Sequence, residues 1–202
     1  MILFKKFRAL LGILLFLLLS ACTTTVTKQT SNNYDVIELP DGSTVYLNKY
    51  SSISYPENFN DRNVVLEGEA FFSVVTGNSV FEVSAVDSKI SVTGTAFNVK
   101  ENSDGVEVQV SEGNVELKVQ QLVSKIEAGE RAAFLNIQKA IKKSKADFEY
   151  NKWMDNLEKE FKKMGKEIKK EGRRIMKETR KESDKAEKEI SKEVKKLKKI
   201  LE

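Results

Sequence analysis

Between Asp35 and about Ile137, hydrophobic positions come in short runs that alternate with polar ones and break at turn residues. The runs DVIEL, STVYLN, RNVVLEGEAFFSVV, SVFEVSAV, KISVTGTAFNV, GVEVQVSEGNVELKV and RAAFLNI follow one another at intervals of roughly 8 to 15 residues, as in all-β domains. Asp41-Gly42, Asn60-Asp61, Gly77-Asn78, Asp104-Gly105 and Gly113-Asn114 lie between or within them and supply the φ > 0 tolerance of tight turns. In VEVQV, Val106, Val108 and Val110 share one face while Glu107 and Gln109 share the other, which reads as a half-buried strand. In VVLEGEAFFSV the same alternation gives a core face of Val64, Leu66, Gly68, Ala70, Phe72 and Val74, with Glu67, Glu69, Phe71 and Ser73 opposite. No helical period of useful length interrupts this stretch. The prediction is a mainly β domain over 35–137, rolled or sandwiched so that few strand edges stay open.

From about Lys145 the period changes. Lys, Glu, Ile, Leu and Met run on without Pro or a turn cluster, and Asp147 is a candidate N-cap, which predicts one long charged helix over 145–202. At 1.5 Å per residue its 152–202 portion would be about 75 Å long. Its apolar pairs are Trp153 and Leu157, Met164 and Ile168, Ile175 and Thr179, Ala186 and Ile190, and Leu197 and Leu201, stepped by eleven residues. That period keeps one stripe in register on a nearly straight helix. Glu160–Lys163, Glu167–Lys170, Glu171–Arg174, Glu178–Lys181, Glu182–Lys185, Glu189–Lys192 and Glu193–Lys196 are candidate i, i+3 ion pairs. Three arrangements fit: a solvated single helix, a coiled coil with itself or with a partner, and a helix lying on an anionic membrane surface.

Residues 1–21 have the layout of an export signal, with Lys5, Lys6 and Arg8 ahead of the apolar run ALLGILLFLLL. That run falls short of the roughly 20 residues of a membrane span. Its end, Leu19-Ser20-Ala21-Cys22, resembles the bacterial lipobox. The resemblance implies cleavage by signal peptidase II between Ala21 and Cys22, with acylation of the Cys22 thiol. An uncleaved anchor helix is the alternative, in which the only cysteine of the chain is incidental. Acyl chains add about 0.8 kcal/mol per buried methylene, so such an anchor is stable. Thr23 follows, with no Asp to retain the protein at the inner membrane, which suggests the outer membrane facing the periplasm. Residues 22–34 read as a polar tether with little to bury.

Charge is unevenly spread over the 202 residues. From Lys152 onward there are 19 Lys and Arg against 12 Asp and Glu, and the leader adds +3, so the overall +4 leaves −6 for residues 22–151. An acidic body thus carries a basic tail. Nucleic acid is not an expected partner despite that tail, because an export signal takes it out of the cytoplasm. The chain has no His, hence neither the commonest general base nor the commonest metal ligand. One Cys excludes an internal disulfide and a cysteine metal cluster.

Glu67 and Glu69 are the one candidate catalytic pair. On a single strand they would lie about 6.6 Å apart on one face, a separation within reach of two-carboxylate glycosidases. Gly68 between them suits a bend better, and the only Trp, at 153, is far from any carbohydrate platform near them. Asp41, Asp61 and Asp104 lack EF-hand spacing and read as turn residues bonded to their own backbone. Gly94-Thr95 lacks the Lys and following helix of a phosphate loop. No catalytic residue, cofactor or metal site is expected.

Five stretches in order, LPDGSTVYLNKYSSISYP (39–56), RNVVLEGEAFFSV (62–74), VTGTAFNV (92–99), EGNVEL (112–117) and IEAGERAAF (126–134), together resemble the FecR domain. The resemblance covers about half the chain and implies a compact, solenoid-like β roll. It also implies a non-enzymatic role: the family's periplasmic region passes signals from TonB-dependent transporters toward extracytoplasmic-function sigma factors. Here an export signal with Cys22 stands where the family has an anti-sigma segment and a transmembrane helix, and a charged helix follows the FecR-like region. The expected function is therefore a lipid-anchored envelope protein that binds or scaffolds a protein partner, with self-association through the helix as an option. An accessory role in a FecR-type cell-surface signalling system is the alternative.

Overall fold

The computed structural model describes residues 24–201; the 1–21 leader and the Ala21–Cys22 cleavage and lipidation site lie outside the described residues. The described chain divides after Asn151 into a β unit and a helical unit.

The β unit contains strands β1 (Thr25–Gln29), β2 (Asp35–Glu38), β3 (Thr44–Leu47), β4 (Ser52–Pro56), β5 (Asn63–Glu67), β6 (Glu69–Ser73) and β7 (Phe81–Ala85). It continues with β8 (Ser88–Val92), β9 (Ala96–Asn102), β10 (Gly105–Glu112), β11 (Asn114–Val119), β12 (Leu122–Glu127), β13 (Glu130–Leu135) and β14 (Ala140–Lys145). They form two seven-stranded sheets, ordered β1-β4-β5-β7-β8-β11-β12 and β14-β13-β10-β9-β6-β3-β2. Every pairing is antiparallel except β5 with β7. The chain passes from sheet to sheet nearly one hairpin at a time: β2–β3 in the second, β4–β5 in the first, β6 back in the second, then β7–β8, β9–β10, β11–β12 and β13–β14 by turns. This is the rolled, solenoid-like body predicted from the sequence, and it is not a closed barrel.

Three of the seven apolar runs turn out to be two strands each. RNVVLEGEAFFSVV divides at Gly68, KISVTGTAFNV at Gly94 and GVEVQVSEGNVELKV at Gly113, and at each the chain changes sheets. Gly68 adopts φ +92°, and a Cβ there would stand 2.6 Å from Ser51 Oγ and 3.1 Å from Ser51 Cα. Gly113 adopts φ +81°, and a Cβ there would meet the carbonyl oxygen of Gly94 at 2.9 Å, so two corners pack directly on each other. Thr95 Oγ1 donates across the same junction to the carbonyl of Asn114 at 3.0 Å. These glycines permit left-handed backbone and close approach, the two needs that exclude a side chain. At Asp41-Gly42, by contrast, the turn is local: Asp41 Oδ1 accepts from Ser43 N at 2.9 Å.

Alternation carries through the corners. Val64, Leu66, Ala70, Phe72 and Val74 are all buried as their spacing predicts, between the two sheets. There Phe72 stacks on Phe97 with centroids 5.2 Å apart and meets Phe81 edge-on at 6.2 Å. Phe59 extends the cluster from Phe81 to Tyr55. These offset and edge-on contacts suit the aromatic quadrupole and supplement the burial of large apolar area.

Two segments depart from the sequence reading. The stretch expected to be a polar tether contributes β1, paired antiparallel with β4 from Thr25↔Pro56 to Gln29↔Ser52. Its side chains are mostly exposed, so it is held by backbone bonding, by Val26 packed on the core and by Thr30, whose Oγ1 is within bonding distance of the carbonyls of Asn48 (2.6 Å) and Ser51 (3.0 Å). The helix, expected from about Lys145, instead follows an edge strand, β14, whose AIKKSK sequence pairs with β13. Lysines on an edge strand discourage further pairing, which explains a strand so poor in apolar residues. Helix α1 begins at Asn151 and runs to Leu201; Asp147 lies ahead of it and faces Arg131 at 3.7 Å. No described helix is long and apolar enough to cross a membrane.

Candidate functional site

The corner at Gly68 holds the two carboxylates that the sequence offers as a pair. They do not share a strand face: Glu67 ends β5 in one sheet and Glu69 begins β6 in the other. Glu67 is exposed and accepts from Ser52 Oγ at 3.0 Å. Glu69 lies between two side-chain amides, accepting from Asn48 Nδ2 at 2.9 Å and Asn98 Nδ2 at 3.1 Å, while its backbone N–H donates to Ser51 Oγ at 3.0 Å. Its carboxylate thus ties the β3–β4 corner to β9. Neither glutamate lines the principal grooves of the surface. Replacing Glu69 with Gln trades an acceptor for a donor facing an amide N–H₂, so Glu69→Gln is expected to cost about 1–2 kcal/mol. Glu67→Gln should stay within about 0.5 kcal/mol of the parent; urea titrations of both variants check the contrast.

The carboxylate that Glu67 does influence is Glu101, whose backbone N–H donates to the Gly68 carbonyl at 2.7 Å. Partial burial, reinforced by the negative charge of Glu67, raises the Glu101 pKa above 4.5 against the opposing hydrogen bond from the Val86 amide. Its Oε2 is buried without a hydrogen bond. The folded state therefore holds this proton more tightly than the unfolded chain, and stability falls as pH rises from 4.5 through the native pKa. Glu101→Gln is expected to raise the melting temperature near neutral pH. The gain should vanish at about pH 4, where the parent side chain is itself protonated in both states. Melting curves over that range would show it.

Arg62 closes the end of the body beside the β7 strand. It is 6% exposed, donates through Nε to Asp41 Oδ2 at 2.8 Å, and binds the carbonyls of Ser79 and Val75, each at 2.8 Å. Its guanidinium also lies 5.5 Å from the Phe81 ring centroid. Asp41, read from sequence as a turn residue, is therefore also the anchor of a buried ion pair. Among the described residues no group of His, Cys, Asp and Glu is placed to hold a metal.

The outer face of the second sheet is unexpectedly closed around Asn98 and Gln109, while a groove of about 480 Å³ stays open over β10, β13 and β14. Tyr46, Phe71, Asn98, Gln109, Arg131 and Ser144 stand in one row across β3, β6, β9, β10, β13 and β14. Alternation assigns Gln109 to solvent, yet Gln109 and Asn98 are each only 2% exposed. Within the β unit, Tyr150 covers part of this row, its ring 5.0 Å from Phe71 and edge-on to Phe148. Burial raises the Tyr150 pKa, and a hydrogen bond from the Ser111 side chain to its phenolic oxygen opposes the shift. Gln109 donates to Glu107 at 2.7 Å, and Glu107 pairs with Arg131. The signal was available in part: Phe148 and Tyr150 are aromatic residues in a polar stretch just after the last strand.

The first sheet also offers open surface. A groove of about 580 Å³ runs over β8, β11 and β12, lined by Ser91, Thr93, Glu116, Lys125 and Glu127 together with the apolar Val80. Edge strand β12 begins with Leu122 and Val123, which are 38% and 56% exposed. Val65 and Val86 add further exposed apolar positions. Such a surface can bind a protein chain through backbone and apolar contacts.

Comparison with known proteins supports this reading of the fold. Residues 24–116 match the FecR protein family, a region that runs from the start of β1 into β11. Two crystal structures of candidate anti-sigma factors from Parabacteroides distasonis ATCC 8503 share the architecture. The one at 2.50 Å is 28% identical with a TM-score of 0.59 and covers 61% of each chain. The one at 1.65 Å is 29% identical with a TM-score of 0.57, over 61% of this chain and 60% of the other. The match thus spans about three-fifths of the length of those solved proteins. No curated protein matches the chain. The β unit of this protein carries a FecR-family domain over residues 24–116.

Proposed function

We propose that the protein is a lipid-anchored binding module of the bacterial envelope, whose FecR-like body holds a protein partner close to the membrane without catalysing a reaction. The observation that carries this reading is the FecR-family match over a body whose corner carboxylate, Glu69, is committed to structural hydrogen bonds. Support for the anchor comes from the sequence alone: a basic and apolar leader ending in Leu19-Ser20-Ala21-Cys22. An acylated Cys22 would place the body at the outer membrane, facing the periplasm. The exposed apolar positions of the first sheet, Val65, Val86, Leu122 and Val123, are the surface offered to a partner.

Feeding cells an alkyne-bearing fatty acid tests the anchor. The full-length chain should take up the label and sediment with membranes, and Cys22→Ser should lose both properties. A labelled Cys22→Ser chain, or an unlabelled parent, would remove the anchor from the account. A second reading, an accessory component of a FecR-type signalling system, draws on the Parabacteroides distasonis relatives described as candidate anti-sigma factors. It predicts that the partner captured by the body is the signalling domain of a TonB-dependent transporter.

A further inference from the structure

Helix α1 leaves an apolar face uncovered, and the charges beside that face specify what covers it. Phe161, Met164, Ile168, Ile175 and Met176 are between 43% and 70% exposed. At about 100° per residue, Met164, Ile168 and Gly172, then Ile175, Thr179 and Ser183, form one band that repeats every eleven residues. Thr179 donates its hydroxyl to the Ile175 carbonyl at 3.0 Å, so its polar group is satisfied within the helix. Gly165 and Gly172 have open space around them and place no side chain in the way of a close neighbour.

The two borders of the band differ. One is an acidic ridge: Glu160, Glu167, Glu171, Glu178 and Glu182 fall within about 60° of one another around the helix. The other border carries Lys169 and Arg180, backed by Lys166 and Lys177. Intrahelical bridges from Glu171 (3.0 Å) and Glu178 (3.7 Å) to Arg174 lie on the far side of the acidic ridge and leave the band open.

We propose that α1 pairs in parallel and in register with α1 of a second copy of this chain, through the Met164–Ile168–Ile175–Thr179 band. In a parallel pair opposite borders meet, so the acidic ridge of each helix faces the basic border of the other, with Glu171 beside Lys169 of the second copy and Glu182 beside Arg180 of the second copy. An antiparallel pair brings like borders together and sets glutamate ridge against glutamate ridge, a like-charge arrangement that costs free energy at every repeat. An anionic membrane surface is a poor occupant for the same reason. A helix on such a surface needs basic residues along both borders, and here one border repels the lipid head groups. The eleven-residue period gives the pair a slight right-handed winding.

Cysteine crosslinking in the full-length chain tests the arrangement and does not depend on the anchor or on the FecR reading. Met164→Cys and Ile175→Cys are made separately, with the parent, whose only thiol is Cys22, as baseline. Under mild oxidation each variant should give a disulfide-linked dimer, and two differently tagged chains, one bearing each substitution, should give almost no mixed dimer. A mixed dimer exceeding the like-with-like products would overturn the parallel register, and yields no higher than the parent would overturn the dimer. Charge supplies the second arm. Glu171→Lys with Glu182→Lys should weaken dimerisation by about tenfold or more, and adding Lys169→Glu with Arg180→Glu should restore it. If the first double change leaves the crosslink intact, or strengthens sedimentation with phosphatidylglycerol vesicles while no crosslink forms, the helix is not paired as proposed.

Discussion

Phe72→Ala is expected to destabilise the β unit by about 3–5 kcal/mol, enough to unfold much of a marginally stable population. Phe72 is fully buried on β6 and sits where the two sheets meet, stacked on Phe97 of the neighbouring strand and edge-on to Phe81 from the opposite sheet. Truncation removes the ring, its two aromatic contacts and the fill between the sheets. The surrounding β framework is cross-linked by hydrogen bonds on both sides and has little freedom to collapse into the void. Phe72→Leu keeps most of the volume and should cost far less, near 1–1.5 kcal/mol. Urea unfolding followed by circular dichroism gives both values. A Phe72→Ala midpoint close to that of the parent would mean that the sheets do not pack through this residue.

Arg62→Met is expected to cost about 3 kcal/mol, by a different mechanism. The methionine retains most of the stem and its packing, so the loss isolates the guanidinium. Three acceptors depend on that group: the Asp41 carboxylate and the carbonyls of Val75 and Ser79. The Asp41 and Arg62 side chains are only 14% and 7% exposed, so the carboxylate left behind keeps little access to water. An unpaired, poorly solvated charge is the costly outcome. Asp41→Asn combined with Arg62→Met should recover part of the loss, because the stranded charge disappears. If the double variant is no more stable than Arg62→Met alone, the ion pair is not what makes Arg62 important.

Both predictions rest on features whose visibility in the sequence differed. The Phe72 environment was legible, because period-two alternation from Val64 to Val74 survives the Gly68 corner, and the buried set is the one that alternation selects. The Arg62 clasp was not. Its partners lie 21, 17 and 13 residues away, and only the folding of separate hairpins brings them together. Run lengths misled at Gly94 and Gly113, since a strand that changes sheets at a glycine keeps its alternation and looks continuous. Strands β1 and β14 were missed because each is an edge held largely by backbone pairing, with one side chain apiece, Val26 or Ile141, packed on the core, too little to show as alternation in TVTKQ or AIKKSK. Gln109 was expected in water and is buried, because closure of an outer face depends on what later chain packs there.

The same separation applies to the candidate site. Spacing alone made Glu67 and Glu69 a pair; three-dimensional structure separates them into two sheets and couples Glu67 to Glu101 instead. The five FecR-like stretches, by comparison, were recognisable because each contains a corner or turn: Asp41-Gly42, Gly68, Gly94, Gly113 or Gly129. Positions where only glycine fits retain their identity in the sequence pattern, while a binding surface built of scattered valines and serines leaves no comparable mark.

The central claim is that the FecR-like body is the binding element, and photo-crosslinking in living cells tests it most directly. A photoreactive residue is placed in the full-length chain at Val65, Val86 or Val123 on the body, and at Ile168 on the helix. The account predicts a discrete heterologous adduct from one or more body positions and only the chain's own dimer from Ile168. Adducts to another protein from Ile168, with none from the body, would contradict it and transfer the binding function to the helix.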